Sequence, residues 1–466
     1  MADLELCFLT IAEASRRIAA RELSPVALTE AVFARIDETD GRLNSYVRLM
    51  RASALAEARA ADARAQAATR LGPLDGIPIA VKDLYDTAGV VTAAGTGAYR
   101  ERVPVEDATA VRLLRQAGAV LLGKTNTHEL AMGGTTNNVH FGATHNPWNL
   151  QRVPGGSSGG SGAALAAGQA LGALGTDTGG SIRIPAAFCG VTGHKPTYGL
   201  VGRGGVVPLS LTLDHAGPMA RTAEDCAILL TALAGPDPRD LDSAGRPGED
   251  YLSDLALPVR GLRLAVIPSL VEGCEPAVLA NFQASLEALR GLGIEIGECE
   301  PLAGLADDWR GLVTSLLTVE AASYIDVVLA RRPLAIGEPI RSRLQAALEV
   351  KAVDYAQQLE ARKRIEARYE SGLGAFDGYV LPTSPMVADL IAPDPTSEPA
   401  TPLKFRNTGV FDHSHQPAIS VPNGFDAEGL PTGLQIATAK FDDALALRLA
   451  HAYQLATDFH TRRPPL

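Results

Sequence analysis

Two serines in glycine-rich turns are the residues of this chain best suited to chemistry. Ser157 lies in the run 155–162 (GGSSGGSG), and Ser181 ends the run 175–181 (GTDTGGS). Glycine lets a backbone turn sharply and expose its N–H groups. A serine on such a turn can face a reacting carbonyl together with several amide donors, as acyl transfer requires. Because a serine hydroxyl is a weak nucleophile, the pattern also requires a base.

Lys82 is the candidate for that base. It follows the short apolar run 77–81 (IPIAV), which is typical of a buried strand. Most lysines are solvated at the surface, and that interpretation stays open from the sequence. A lysine at the end of a buried strand is desolvated, which lowers its pKa and makes a neutral amine available.

Helical and strand-like segments alternate along the chain around these residues. Periodicity and capping predict helices over 11–21, 25–39, 51–68, 107–117, 161–169, 222–234, 277–290 and 443–456, and a mostly helical block over 302–370. Short apolar runs predict strands over 77–81, 119–122, 171–174, 264–267, 294–297, 379–381, 418–421 and 434–436. The alternation favours an α/β fold in which a mixed sheet is covered by helices on both faces.

Composition narrows the class of protein further. The 466 residues are 46% hydrophobic and 20% charged, which is typical of a globular chain. The net charge of -11 argues against a nucleic-acid-binding surface. Five scattered cysteines without a CxxC pair favour reduced thiols in the cytoplasm. The sequence predicts neither a signal peptide nor a membrane span.

The run 155–197 (GGSSGGSGAALAAGQALGALGTDTGGSIRIPAAFCGVTGHKPT) resembles the defining segment of the amidase signature family. The runs 76–83 (GIPIAVKD), 123–132 (GKTNTHELAM), 146–148 (NPW), 382–385 (PTSP) and 431–436 (PTGLQI) are similar to that family too. The resemblance implies one α/β/α domain over 1–466, built on a single large mixed sheet. Its core motif region is 70–235, and the block at 302–370 lies on the substrate side.

The same resemblance implies a Ser–cis-Ser–Lys triad. Ser181 matches the nucleophile, Ser157 matches a bridging serine that follows a cis peptide bond, and Lys82 matches the base. Neutral Lys82 would accept a proton from Ser157, which accepts one from Ser181. The local sequence alone does not distinguish Ser157 from Ser158 as the bridge.

Neighbouring residues receive roles by resemblance as well. Asp177 and Arg183 are predicted to form a buried pair that shapes the loop, with a direct catalytic role as the alternative. Met132 and Gly133 match positions that line the family's substrate pocket, although Met132 could equally be ordinary core. The developing oxyanion would be held by backbone N–H groups, those of Thr178, Gly179, Gly180 and Ser181.

The histidines and glycine loops suggest no cofactor. None of the nine histidines stands in a metal-ligand spacing such as HExxH, so neither a metal nor another cofactor is predicted. His413 and His415 are predicted to pack or lie at the surface, with substrate contact as the alternative. The glycine runs lack the lysine and serine spacing of a phosphate-binding loop.

The candidate residues and the resemblance together predict a cytoplasmic serine hydrolase that cleaves the C–N bond of small amides through an acyl-enzyme. The resemblance extends the expected substrates to esters and carbamates. Its expected partner is a small-molecule substrate, without nucleic acid or membrane, and a homodimer is allowed. One alternative is a glutaminyl-tRNA amidotransferase A-type subunit that releases ammonia from glutamine beside a tRNA-binding partner. A non-catalytic binding module is the other alternative.

Overall fold

The computed structural model describes residues 3–243, 245–303, 315–338, 340–397 and 402–466. The strands are β1 (Tyr46–Leu49), β2 (Pro78–Lys82), β3 (Val120–Thr125), β4 (Asn137–Asn138), β5 (Gly142–Ala143), β6 (Gly172–Asp177), β7 (Thr192–Lys195), β8 (His215–Ala220), β9 (Arg263–Val266), β10 (Glu295–Glu298), β11 (Gly378–Pro382), β12 (Ala418–Phe425) and β13 (Pro431–Thr438).

The α-helices are α1 (Leu4–Cys7), α2 (Ile11–Ala19), α3 (Pro25–Leu43), α4 (Arg51–Gln66), α5 (Thr109–Gln116), α6 (Gly159–Ala166), α7 (Arg183–Cys189), α8 (Ala223–Leu233), α9 (Pro268–Val271), α10 (Pro276–Gly291), α11 (Leu316–Arg331), α12 (Ile340–Ala347), α13 (Ala352–Leu373), α14 (Gly409–His413) and α15 (Asp443–Leu455).

One mixed sheet joins most of these strands and confirms the predicted fold class. Across the described residues its 11 strands lie in the order β1-β3-β2-β6-β8-β7-β12-β13-β11-β9-β10, while β4 and β5 form a separate pair. Helices pack on the sheet and bury a large apolar core that runs from the N-terminal helices to α15. The sheet is long enough to place its central strands out of water on both faces.

The middle of the sheet positions the predicted site. Strand β2 pairs in parallel with β6, with Val81 opposite Leu174. Because the carboxyl ends of parallel strands meet at the same sheet edge, Lys82 at the end of β2 lies beside the turn that follows β6. Strand order thus brings together residues that are about 100 positions apart in the chain.

Local chemistry explains several of these elements. Helix α3 begins where the Ser24 hydroxyl accepts the N–H of Val26, with Pro25 in the first turn. Helix α6 lies very close to its neighbours because Gly160 has no side chain. A Cβ there would lie 2.5 Å from the carbonyl oxygens of Asn126 and Ser45. Helix α6 thereby holds the first serine turn against β3.

The structure adds elements that the sequence did not predict. Strands β1, β7 and β8 and helix α7 are all absent from the expected set. The predicted helical block at 302–370 is present as α11, α12 and most of α13, but residues 304–314 and 339 of that block lie outside the described residues. In the described parts of the chain, no helix has the length and apolar content needed to cross a membrane.

Candidate active site

Lys82 is a fully buried lysine at the end of β2. Its Nζ lies 2.7 Å from Ser157 Oγ, 2.9 Å from Ser158 Oγ and 2.7 Å from Thr176 Oγ1. Burial lowers the pKa of Lys82 to about 7, although the negative charges of Asp177 and Asp214 act in the opposite direction. A neutral amine among three hydroxyls can accept one proton while donating two hydrogen bonds.

The two serines beside Lys82 have different surroundings. The peptide bond between Gly156 and Ser157 is cis. Ser158 is tied to β6, because its Oγ lies 3.2 Å from the carbonyl oxygen of Thr176 and 3.3 Å from the Thr176 nitrogen. The Ser157 hydroxyl contacts Lys82 without such ties to the strand. Of the two candidates, Ser157 is therefore the one whose hydroxyl is free to turn toward a third group.

Ser181 lies in the turn between β6 and α7 and is 4% exposed. Its carbonyl oxygen accepts the N–H of Ser158 at 3.2 Å, which joins the two serine turns. Within the described residues, the Ser181 hydroxyl makes no hydrogen bond in this state. Catalytic hydrogen bonds are often long until a substrate closes the site.

The N–H groups of the turn differ in availability. The Gly180 N–H donates to Asp177 Oδ1 at 2.5 Å, so it holds the turn and is not free for a ligand. None of the described residues accepts a hydrogen bond from the N–H groups of Thr178, Gly179 and Ser181. Of the four predicted oxyanion donors, Gly180 is thus engaged elsewhere, and three remain available.

The turn is shaped by a fully buried pair of charges. Arg183 Nε donates to Asp177 Oδ2 and its Nη2 donates to Asp177 Oδ1, both at 2.9 Å. Asp412, a residue that sequence reasoning missed, accepts from Arg183 Nη2 at 2.7 Å. Burial would raise the pKa of Asp177, but the Arg183 guanidinium holds it well below its usual range. Asp177 is therefore an anion that fixes the backbone around Ser181.

Two further contacts hold the same turn from opposite sides. Gly180 has φ +136°, and a Cβ there would overlap Thr408 Oγ1 and lie 2.7 Å from Ile184 Cδ1. Only glycine fits that position. On the other side, Thr178 Oγ1 donates to Asp214 Oδ1 at 2.6 Å, and burial raises the pKa of Asp214. The turn is held rigidly before any substrate arrives.

Phe405 and His128 lie beside the two serine turns. The Phe405 ring lies 3.6 Å from where a Cβ of Gly179 would be. His128 lies nearby, and burial together with the positive charges of Arg343 and Lys404 lowers its pKa to about 3. Lys404 is paired with Asp389 at 2.8 Å, whereas no carboxylate in the described part of the chain pairs with the exposed Arg343. Arg343 is therefore a cation without a carboxylate partner among these described residues, and its charge acts on His128.

Of the two predicted substrate residues, Gly133 contacts His128, whereas Met132 lies in an apolar cluster. A Cβ on Gly133 would overlap the His128 ring, so the glycine makes room for that side chain. Met132 is 4% exposed in an apolar cluster with α11 and α12, and it also lines a cavity of about 80 Å³. His128 lies in the run 123–132, which resembles the amidase signature family. Arg343 lies in no recognisable motif.

The histidines near the C-terminus lie in packed surroundings. His415 stacks on Tyr198 with ring centroids 4.0 Å apart, and its Nε2 lies 2.9 Å from the Thr212 carbonyl oxygen. The carbonyl oxygen of His413 accepts from Arg362 at 2.9 Å. His194 Nε2 lies 3.0 Å from Asp443 Oδ1 and is fully buried. In the residues that the structure describes, no group of three His, Cys, Asp or Glu side chains is placed to bind a metal ion.

This arrangement can perform acyl transfer. A desolvated amine contacts one serine, a second serine lies in the adjoining turn, and three unpaired N–H groups surround the second serine. Such a site can deprotonate a hydroxyl, form an ester with an acyl group and stabilise the negative charge that develops on the carbonyl oxygen.

Known proteins share this fold and sequence. The family model described as Amidase matches residues 27–447. The A-type subunit of the glutamyl-tRNA(Gln) amidotransferase from Roseiflexus castenholzii is 42% identical over 480 residues, covering 98% of this chain and 97% of the relative. The structure of the corresponding protein from Thermotoga maritima is 32% identical with a TM-score of 0.79, covering 97% of this chain and 96% of that one.

A third similar protein belongs to a structure of a vestigial protein complex that reveals the evolutionary origins of an s-triazine catabolic enzyme. It is 32% identical with a TM-score of 0.89, and the match covers 96% of this chain and 98% of that chain. Similarity to all three proteins thus extends over nearly the whole sequence.

These relatives correct the predicted partners. The expectation of a chain that acts only on a small amide, ester or carbamate, with no nucleic acid and with a homodimer allowed, is wrong by this comparison. The curated relatives at about 40% identity are named as one subunit of an enzyme for glutamyl-tRNA(Gln). The net charge of -11 describes this chain alone and carries no information about the other subunits that the relatives' name implies.

Proposed function

Because this chain belongs to the amidase family and is an amidohydrolase, we propose that it is the A-type subunit of a glutamyl-tRNA amidotransferase, which releases ammonia from glutamine. One observation carries the proposal: the 42% identity to such a subunit spans 98% of the chain. The desolvated lysine, the two serines and the rigid turn supply the chemistry that amide cleavage requires.

The proposed reaction begins with a proton relay. Lys82 Nζ accepts the proton of Ser157 as Ser157 accepts the proton of Ser181, and Ser181 Oγ attacks the side-chain amide carbon of glutamine. The free N–H groups of Thr178, Gly179 and Ser181 donate to the oxyanion, a contribution typically worth about 10²–10³ in rate for each donor.

The relay then runs in reverse to release the leaving group. The proton held by Lys82 returns through Ser157 to the amide nitrogen, the C–N bond breaks, and ammonia departs. Water attacks the resulting glutamyl ester on Ser181, which yields glutamate and restores the free hydroxyl. Ammonia would pass to glutamyl-tRNA with the help of the other subunits that the relatives' name implies.

The charge of Arg343 supports a substrate that carries a carboxylate. Arg343 is exposed, has no carboxylate partner among the described residues, and its charge acts on His128 beside the serine turns. An arginine can bind the α-carboxylate of glutamine through two parallel hydrogen bonds. Met132 and Gly133 are proposed to line the substrate pocket. Gly133 contacts His128, and Met132 lies in the apolar cluster with α11 and α12.

Two further parts of the proposal concern the whole chain. Residues 1–466 are proposed to form one domain, which the 11-stranded sheet of the described residues supports. Its motif region is 70–235, and the block at 302–370 borders the substrate. The protein acts in the cytoplasm, which the five unpaired cysteines support because disulfides are rare there.

Glutamine turnover by the full chain tests the proposal. The wild type and Ser181→Ala are purified with any subunits that accompany them, and ammonia release from glutamine is measured with and without glutamyl-tRNA. We expect release by the wild type and a loss of at least about 10³-fold in Ser181→Ala.

Substitutions of the two neighbouring serines serve as controls for this assay. Ser158→Ala keeps the relay and should retain a larger share of activity than Ser157→Ala, because Ser158 is tied to β6. A chain that purifies alone, cleaves aryl amides and leaves glutamine intact contradicts the proposed function.

A further inference from the structure

A buried carboxylate outside the triad links the helical block to the serine turn. Glu320 on α11 is 4% exposed, and no cation among the described residues forms an ion pair with it. Its oxygens accept hydrogen bonds from the Ser210 hydroxyl, the Thr212 N–H at 3.1 Å, the Thr212 hydroxyl at 2.9 Å and the Tyr355 hydroxyl at 2.9 Å. A buried anion persists only where donors satisfy it, so these groups form a specific clamp.

The clamp holds the loop 209–214, which leads into β8 and contacts the serine turn through Asp214. Asp214 at the end of this loop accepts the N–H groups of Leu209 at 2.8 Å and Ser210 at 3.0 Å on Oδ2. Its other oxygen accepts the hydroxyl of Thr178 at 2.6 Å. Glu320 and Thr178 are therefore connected through one short loop that both of them hydrogen-bond.

Packing alone does not hold this loop. A cavity of about 290 Å³ borders it and is lined by Ser210, Leu211, Asp214, Thr176 and Tyr324. Atoms that face a cavity lose dispersion contacts on that side. Leu209 and Leu213 are buried, while the polar residues of the loop are held by hydrogen bonds, of which Glu320 accepts three.

We propose that Glu320 is a positioning residue for the turn 178–181, which carries the proposed oxyanion donors. Glu320 aligns this turn through the loop 209–214 and the Asp214–Thr178 hydrogen bond. A shift of the Thr178 N–H by a fraction of an ångström weakens transition-state stabilisation more than substrate binding. The inference rests on the proposed acyl transfer to Ser181 but not on glutamine as the substrate.

Substitution of Glu320 tests the inference by separating kcat from KM. We expect Glu320→Ala to lower kcat by about 10-fold with KM within about 2-fold. Glu320→Gln should stay within about 3-fold of wild type, because the Ser210, Thr212 and Tyr355 hydroxyls can rotate to suit an amide. Asp326→Asn, an exposed substitution on the same helix, is the matched control and should leave kcat unchanged.

A double-mutant cycle with Thr178→Val distinguishes positioning from general weakening of the fold. If Glu320 acts through Thr178, Glu320→Ala should lower kcat much less in the Thr178→Val background than in the wild type. The inference is overturned if Glu320→Ala lowers kcat by the same factor in both backgrounds. It is also overturned if Glu320→Ala has the wild-type kcat. If Glu320→Ala does not fold, Ser210→Ala removes one clamp bond and should lower kcat about 3-fold with unchanged KM, and an unchanged kcat overturns the inference.

Covalent labelling of Ser181 by a fluorophosphonate probe keeps this test separate from the proposed substrate. Slower labelling of Glu320→Ala than of Asp326→Asn supports the inference even if glutamine is not turned over, an outcome that rejects only the proposed function. Equal labelling rates overturn the inference alone. A wild type whose Ser181 is neither acylated nor labelled overturns both.

Discussion

Replacing Lys82 with methionine should abolish activity while stabilising the fold at neutral pH. Burial lowers the pKa of Lys82 from its usual 10.5 to about 7. One pKa unit corresponds to about 1.4 kcal/mol. Burying this amine in its neutral form therefore costs the folded state about 4 kcal/mol at pH 7. Methionine fills a similar volume without a charge.

Part of that gain is offset by the hydroxyls that lose their nitrogen partner. These are Ser157, Ser158 and Thr176, and each lost bond costs about 1 kcal/mol. The variant should therefore be about 1 kcal/mol more stable than the wild type at pH 7.

The difference in unfolding free energy between Lys82→Met and the wild type should change with pH. Between the folded-state value of about 7 and the unfolded value of 10.5, the unfolded chain holds a proton that the folded chain lacks. Wild-type stability must then rise with pH across this window. From pH 7 to pH 9 the advantage of Lys82→Met should fall by about 2 kcal/mol, so that the wild type becomes the more stable protein.

Thermal unfolding at both pH values measures this reversal. For a chain of 466 residues, about 2 kcal/mol corresponds to about 2 °C in the difference between the two Tm values. Lys363→Met removes an exposed lysine and should show no such change. A Lys82→Met variant that is destabilised equally at pH 7 and pH 9, or that retains more than about 1% of the wild-type kcat, refutes this reasoning.

Three other predictions follow from the site. Since only neutral Lys82 accepts a proton, ammonia release should rise with pH through about 7 and be about 10-fold slower at pH 6 than at pH 8; a flat profile over that range contradicts a base of this pKa. Gly180→Ala should lower kcat at least about 100-fold, because its Cβ would overlap Thr408, whereas Gly41→Ala, with open space around it, should not; equal kcat values in the two variants argue against a rigid turn. Arg343→Ala should raise the KM for glutamine about 10-fold with little change in kcat. The neighbouring Arg341→Ala, which breaks an ion pair with Glu338 and a hydrogen bond to the Ile336 carbonyl oxygen, should not; an unchanged KM in Arg343→Ala removes Arg343 from the substrate pocket.

The sequence could predict those elements whose signals are local. The apolar run before Lys82 predicted β2, and the Ser24–Pro25 pair predicted the start of α3. Strand β8 was missed because His215–Ala220 contains glycine and proline and no β-branched residue. It becomes a strand because β6 and β7 pair with it on either side, which is a tertiary effect.

The residues of the candidate site also divide into those with a local sequence signal and those without one. Glycine spacing and family resemblance singled out Lys82, Ser157 and Ser181, and the structure brings Lys82 within 2.7 Å of Ser157. Asp412 and Glu320 could not be found this way, because each is an ordinary acidic residue in sequence. Their importance comes from burial and from hydrogen bonds to residues about 110 to 229 positions away.

Trapping the acyl-enzyme tests the central claim most directly. The full chain, with any accompanying subunits, is mixed with glutamine and quenched in acid within one turnover, and the peptide that contains residue 181 is examined by mass spectrometry. We predict a glutamyl ester on Ser181 in the wild type, slower to form at pH 6 than at pH 8 and absent from Ser181→Ala. Glutamine turnover with an adduct on another residue, or with Ser181 unmodified throughout, would contradict the account.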